Sequence, residues 1–548
     1  EPATVRRWRE TLGSEGDLAG TYLTDPQHTP GCGYERWVVQ LRPGRHSFST
    51  LQQRLDLIAS AFQTDPGDVV LERYRDPKTG KLDASRALLT LTHQSPVQES
   101  VPFDGPRVRW NGRTCVIELG PYADGNGEAV WRLFSPGSMW GGIVIGATGS
   151  GKSRLLEILG CSATSTGLVS LVYADPQRGN SSPALADHAH WTARGVDECI
   201  EMLRALRRIM AVRELVNAAA GRSGFTPTPE TPGILVILDE CHMVLGDPTL
   251  PKGVREEAVW IAEQISRVGR KLGIALVLAS QEGDLSTFGG SNALRNNVRA
   301  GNTIVLRTLN KQIRGLLELP FNPATLPEGG GYGYTMASPE IGGRTAPFRG
   351  RYLEELSDDE YAEVRDHGAQ PRRGSNYWWL AQYPSAELDS YSARAAGEAY
   401  ERRHETATLE RDRAAEALAA FVAGTLPIEE LLNETRSRTA PAGPQIGARA
   451  SGGAITAGVD TSRYGKIIPL PVYRRDQANQ EPQPQPRRRV RDLVLELVSR
   501  GVTAPRDLAE EIGCTRQAVH NALNALEQEG LVYAERFGEW RLTRRRPA

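Results

Sequence analysis

Residues Gly146 to Ser153 read GATGSGKS, and no other stretch of the chain points so directly to a chemistry. The spacing is G-x-x-x-x-G-K-[ST]. Glycines let successive backbone N–H groups turn inward around a phosphate, and a helix starting there adds the positive end of its dipole. In such a loop Lys152 reaches the β- and γ-phosphates of ATP, and the Ser153 hydroxyl completes the shell of a Mg²⁺ ion. The candidate phosphate contacts are Gly146, Ala147, Thr148, Gly149, Ser150, Gly151, Lys152, Ser153 and Arg154. The flanks fit as well: apolar GGIVIG precedes the loop and helix-forming RLLEILG follows it.

Hydrolysis needs carboxylates at the end of a neighbouring strand. The run ILVILDE ends in Asp239 and Glu240. Asp239 is the candidate to hold Mg²⁺ together with Ser153, and Glu240 the candidate to polarise the attacking water. Two carboxylates can simply cap a strand. Beside a phosphate loop, a Glu directly after the Asp points to turnover of ATP. The next apolar run ends in ASQ, which offers Gln281 as a polar amide to sense the γ-phosphate or orient the water. Cys241, His242, His188 and His190 lack partners at metal-ligand spacing and read as structural.

These residues need a scaffold, and the surrounding sequence describes one. Short apolar runs at 141–146, 168–175, 234–240, 274–280 and 302–308 alternate with helical stretches such as Cys199 to Leu215 and Glu256 to Lys271. That alternation predicts an α/β fold with a parallel sheet covered on both faces. The organisation expected is an accessory α/β domain over 1–135, the ATPase core over 136–355 and a charged helical extension over 356–436. A Pro-, Gly- and Gln-rich linker over 437–489 and a small domain over 490–548 complete it. Within the first domain, Glu35 to Gly44 reads as a strand and Thr50 to Phe62 as one helix capped by Ser49 or Thr50. VVLERYR and RALLTLTHQ read as paired strands. In the extension, Ala399 to Gly424 reads as an exposed connecting helix.

The order GATGSGKS, LVYAD ending in Asp175, ILVILDE, EQISRVGRKLGIALVLASQ and NTIVLRT resembles the FtsK/SpoIIIE family of DNA-pumping ATPases, over roughly Trp140 to Met336. The resemblance implies a RecA-like core, a homo-hexameric ring around double-stranded DNA, and sites completed by an arginine from the neighbouring subunit. Arg267, Arg270 and Arg299 are candidates for that arginine, and the sequence does not choose among them. The DECH stretch mimics a helicase box. A two-lobed helicase would need a whole lobe between it and an arginine motif, yet QISRVGR follows after about 25 residues.

The last 60 or so residues again show helical periodicity. Val490 to Gly501, Ala504 to Gly513 and Thr515 to Gly530 read as three helices, with Val519, Ala522, Leu523 and Leu526 facing inward on the third. Its other face carries Arg516, Gln517, His520, Asn521 and Asn524, types that read base edges in a major groove. Two strands around Phe537-Gly538 follow, bearing Arg536 and Arg541. The layout resembles a winged helix-turn-helix. A protein-binding winged helix is the alternative. The basic runs Arg487 to Arg489 and Arg544 to Arg546 favour DNA. A motor followed by a tethered winged helix is the FtsK layout, which keeps a chromosome-segregation DNA pump as the alternative. The long Ala-rich helix and the ASQ and NTIVLRT variants are more similar to TraB-type transfer proteins of actinobacterial conjugative plasmids. Type VII secretion ATPases carry several motor domains in series.

Composition bounds the rest. A chain of 548 residues implies several domains. Lys and Arg number 65 against 66 Asp and Glu, a net charge of −1, so nucleic-acid binding must rest on local clusters. Six cysteines with no C-x-x-C pair suit a reducing cytoplasm. No window reads as a signal peptide or a membrane span; Leu155 to Ala174 comes closest, but Glu157 and a polar middle interrupt it. The chain begins at Glu1 rather than Met, which leaves room for a membrane anchor upstream of Glu1 and a place at the cytoplasmic face of the membrane.

Overall fold

The computed structural model describes residues 1–27, 33–281, 283–425, 490–500, 504–512, 516–528, 532–536 and 539–542. The chain divides into two compact units, 1–445 and 446–548. The sequence-read linker 437–489, the basic runs Arg487 to Arg489 and Arg544 to Arg546, and the Phe537-Gly538 turn lie outside the described residues.

The centre of the first unit is an eight-stranded sheet. Its strands are β1 (Gly142–Ile145), β2 (Val169–Asp175), β3 (Trp191–Arg194), β4 (Gly233–Leu238), β5 (Ile274–Ser280), β6 (Asn302–Leu306), β7 (Tyr332–Thr335) and β8 (Pro347–Arg349). They lie in the order β3-β2-β4-β5-β1-β6-β7-β8. The first six run parallel, and β7 and β8 close the edge antiparallel. Every one of the five apolar runs became a strand. They are apolar throughout because both faces are covered, and the period of two splits each strand between two cores. Val144, Leu171, Leu235, Val277 and Ile304 pack with Leu155, Leu156 and Leu159 of helix α1 (Lys152–Thr164). Ile143, Val172, Val236, Leu276 and Val305 face α2 (Val196–Ala219) and α3 (Lys252–Val268) through Leu203, Leu206, Ile261 and Ile265.

Ahead of this core lie two antiparallel sheets. Strands Tyr22–Thr24, Tyr34–Gln40, Leu82–Thr92 and Val69–Arg75 form the first, around Trp8, Trp37, Val39, Leu51, Ile58 and Leu89. The single helix expected over Thr50 to Phe62 is two: Phe48–Gln53 and Leu55–Phe62, joined at Arg54, whose backbone leaves helical geometry (φ −111°, ψ 20°). Its cap is Ser47, not Ser49 or Thr50; the Ser47 and Thr50 side chains bond each other's backbone N–H in a capping box. The second sheet (Val108–Trp110, Cys115–Pro121, Glu128–Ser135, Ser138–Met139) packs Ile117, Leu119, Trp131 and Leu133 into the same core as α1. Arg344, just before β8, donates to Glu72 and Asp124 and so ties both sheets to the core.

Beyond residue 356 the chain is less exposed than its charge suggests. Tyr377 and Leu380 of helix Asn376–Gln382 are buried against the α1 face, and helix Ser390–Ala396 lies along α2. There Arg213 of α2 is buried and donates to Asp389 (2.8 Å), to Ser392 (2.9 Å) and to three backbone carbonyls. The single exposed helix read over Ala399 to Gly424 is two, Glu398–Glu401 and Arg403–Val422; Tyr400 of the first is buried in the core, while Leu418 and Val422 of the second are more than half exposed.

In the second unit, helices Val490–Ser499, Pro505–Ile512 and Arg516–Gln528 and the hairpin Val532–Arg536/Glu539–Leu542 surround Val494, Val498, Leu508, Val519, Leu523, Leu526 and Val532. Among the described residues, no helix is long and apolar enough to cross a membrane.

Candidate active site

Strand register brings the chemistry to the carboxyl ends of the parallel strands. Ile145 pairs with Ser280 and Leu238 with Leu278, so the loop after β1, the carboxylates after β4 and Gln281 after β5 emerge together. The loop needs its glycines. Gly149 and Gly151 have φ of +76° and +94°, the left-handed region where a Cβ is strained. A Cβ on Gly151 would also stand 2.7 Å from the backbone N of Gly331, which donates to the Ser150 carbonyl (2.8 Å). The run Gly329 to Gly331 thus backs the loop; three successive glycines were its visible signal in the sequence. No side chain caps α1, which leaves its N-terminal N–H groups to an anion.

Lys152 opens α1 and is buried to 6% exposure. Its Nζ donates to Asp239 Oδ1 and lies 3.0 Å from Glu240 Oε1. Burial disfavours its charge, but the two carboxylates outweigh burial and hold its pKa above the ordinary lysine value. Glu240 mirrors this: burial would raise its pKa, while Lys152 and the Gln281 amide bring it below the usual carboxylate range. Asp239 is fully buried and accepts from the Glu240 N–H (2.9 Å) and the Tyr173 hydroxyl (3.3 Å). Tyr173 was not singled out from the sequence; it lies on β2, two residues before Asp175, and only the β2–β4 pairing brings it to Asp239.

Glu240 holds a left-handed backbone (φ +41°), which costs a non-glycine residue roughly 1–2 kcal/mol. That turn aims its carboxylate back at the loop. Oε1 takes Lys152 and Gln281 Nε2 (2.7 Å), while buried Oε2 has no hydrogen-bond partner among the described residues. His242 Nδ1 stands 3.5 Å from Oε2 and 3.1 Å from Ser280 Oγ, so a histidine read as structural borders the site. His190, by contrast, bonds Tyr400 away from the site, and burial pushes its pKa down to about 4. Asp175 is also buried. Its carboxylate accepts from Gln177 N, Ser181 N and Ser181 Oγ at 2.8–3.0 Å and shapes the turn after β2.

Ser153 is half-buried beside Lys152 at the start of α1. Among the described residues no cluster of three His, Cys, Asp or Glu is poised to hold a metal. The hard oxygens of Ser153 and Asp239 nonetheless suit Mg²⁺, which usually takes one or two protein ligands and completes its shell from water and phosphate.

Four arginines do not join this group. The Arg154 guanidinium turns away from the loop to Glu157 and Glu355, both at 3.0 Å, which leaves its backbone N–H as the group that could meet a phosphate. Arg267 bonds Gln264, Arg270 lies over the Trp140 ring (4.5 Å), and Arg299 pairs with Glu318 (2.6 Å). All three precede the starts of β5 or β6, at the end of the parallel strands opposite Lys152. In the second unit His520, Asn521 and Asn524 are exposed; the side chains of Arg516, Gln517, Arg536 and Arg541 lie outside the described residues.

One strand, β5, separates the phosphate-loop strand β1 from the carboxylate strand β4, and Lys152, Asp239, Glu240 and Gln281 converge at their carboxyl ends. This is an α/β P-loop nucleotide-binding core with the acidic pair of an ATPase. No protein-family profile matches the chain, and no curated protein sequence does. Solved structures similar to it include the pCW3 conjugation coupling protein TcpA with ATPγS bound. That likeness has 15% identity and a TM-score of 0.42, and covers 65% of this chain and 95% of TcpA. The cytoplasmic domain of the Thermomonospora curvata type VII secretion ATPase EccC gives 21% identity and a TM-score of 0.37, over 50% of this chain and 31% of that one. ATPases 2 and 3 of EssC from Geobacillus thermodenitrificans give 16% and 0.33, over 51% and 52%. These likenesses are loose, and the class rests on the chain's own sheet order and site.

Proposed function

We propose that this chain is an ATP-driven translocase of double-stranded DNA, working as a homo-hexamer in plasmid conjugative transfer. The observation that carries the hydrolytic part is Glu240, held by Lys152 and Gln281 through one carboxylate oxygen, while its second oxygen is buried with no hydrogen bond among the described residues and lies 3.5 Å from His242 Nδ1. A nucleotide on the loop would draw Lys152 from the carboxylates to its β- and γ-phosphates. Glu240 Oε2 then accepts a proton from water as the water oxygen bonds the γ-phosphorus and the bond to the β–γ bridging oxygen breaks. Ser153 and Asp239 would hold Mg²⁺, which neutralises phosphate charge when bound.

The DNA part rests on the motif order that resembles the FtsK/SpoIIIE family and on the second unit. There, three helices and a hairpin fit a winged helix, with His520, Asn521 and Asn524 on an exposed helix face. Arg267, Arg270 and Arg299 lie at the amino ends of the strands, away from their own phosphate loop, which fits a subunit that completes its neighbour's site. A cytoplasmic location belongs to the same reading.

Displacement of a triplex strand from duplex DNA by the purified protein, with ATP turnover followed in parallel, tests the proposal. Turnover coupled to displacement is expected. Duplex binding that switches with nucleotide but displaces nothing would make the chain an ATP-dependent DNA-binding regulator instead.

A further inference from the structure

Hydrolysis as proposed leaves one loop side chain without a task. Thr148 stands exposed between Ala147 and Gly149, at the tip of the phosphate loop. Its hydroxyl donates to Gln281 Oε1 (2.5 Å), and Gln281 Nε2 donates to Glu240 Oε1 (2.7 Å). A carboxamide has one accepting end and one donating end. With Oε1 fixed by the threonine proton, the donating end is the one turned to Glu240; the reversed amide would set a carbonyl oxygen against a carboxylate. The hydroxyl has a single proton, so it serves either Gln281 or a phosphate oxygen at any moment.

We propose that Thr148 is a positioning residue that acts on Glu240 through Gln281. The inference rests on Glu240 being the base. Thr148 needs no contact with the water. In the hydrolytic state its proton stays on Gln281 Oε1, the amide keeps its donating end on Glu240 Oε1, and the carboxylate is held in place for the water.

The test is steady-state ATP turnover by the full chain and its Thr148→Val, Thr148→Ser, Gln281→Leu, Thr148→Val/Gln281→Leu and Glu240→Gln variants, with nucleotide affinity measured separately. Thr148→Val keeps the shape and removes the proton. It should lower kcat between about 10- and 100-fold, the scale of a misplaced catalytic group, with affinity changed less than about threefold. Thr148→Ser should restore the rate, and the double variant should be no slower than Gln281→Leu alone. A Thr148→Val enzyme with full kcat overturns the inference. So does a serine variant as slow as the valine, or losses that multiply in the double variant. With Glu240→Gln inactive, any of these leaves the base assignment standing; with Glu240→Gln fully active, that assignment fails and takes the inference with it.

Discussion

Lys152 and Glu240 sit 3.0 Å apart, yet their replacements should fail differently. Lys152→Ala removes the cation that meets the phosphates and leaves Asp239 and Glu240 buried together without it, so nucleotide binding should be lost. Glu240→Gln keeps the shape, the Gln281 contact and the phosphate cation while removing the base. It should bind ATP with near-normal affinity and turn over about 10²–10⁴-fold more slowly. Affinity by calorimetry and turnover by phosphate release check both; a Glu240→Gln enzyme at full speed would remove that residue from the reaction.

At the scale of elements, the pair Arg213–Asp389 decides whether residues 376–400 belong to the core. Asp389 sits at the start of a helix and Arg213 is 4% exposed. Burial pushes the Asp389 carboxyl up, but Arg213 and Ser392 more than offset it and leave its pKa below the ordinary aspartate value. Because that folded value is depressed, the pair's contribution is fully present above roughly pH 3.9 and is lost as pH falls through the folded value. Asp389→Ala leaves a buried guanidinium without its carboxylate and should cost about 3–5 kcal/mol in urea unfolding at pH 7. An unchanged midpoint would mean that the backbone carbonyls around Arg213 suffice. On the proposed reading, the C-terminal helices would read sequence while the ATPase core grips any duplex. Deleting 487–548 should abolish sequence-selective binding while ATP turnover stimulated by any duplex persists. His520→Ala and Asn524→Ala should each cost about 1–3 kcal/mol of discrimination, with little change in salt dependence. Selection from randomised duplexes by the full and truncated chains is the measurement, and equal selection by both would place the reader elsewhere.

For the whole molecule, the distance between the two ends of the parallel strands matters most. Lys152, Asp239, Glu240 and Gln281 gather at the carboxyl ends, and Arg267, Arg270 and Arg299 precede the strands at the amino ends. A chain built this way cannot bring those arginines to its own phosphates, and in the proposed ring one subunit would present them to the next. Sedimentation with duplex DNA and a non-hydrolysable ATP analogue should therefore show hexamers. A strict monomer with full DNA-stimulated turnover would contradict the ring.

By itself the sequence determined the parallel core and most of the site, because those signals are local. Continuous apolar runs such as Val169–Asp175 mark strands buried on both faces, and the spacing of GATGSGKS dictates which backbone groups turn inward. Asp239 and Glu240 were legible because they end such a run. Only the tertiary structure decided which side chains meet across elements. The insertion of β5 between β1 and β4 brings Gln281 to Glu240 and Thr148, and β2 beside β4 puts the Tyr173 hydroxyl on Asp239. Arg154 is a loop neighbour by sequence, yet carboxylates 3 and 201 residues away draw it off. Tyr377 and Leu380 belong to the short run YWWLA inside an otherwise charged extension, and nothing local to that run says that it packs against α1. Spacing along the chain sets what shares a face of one strand or helix; sheet order sets what faces it, and no local pattern encodes that order.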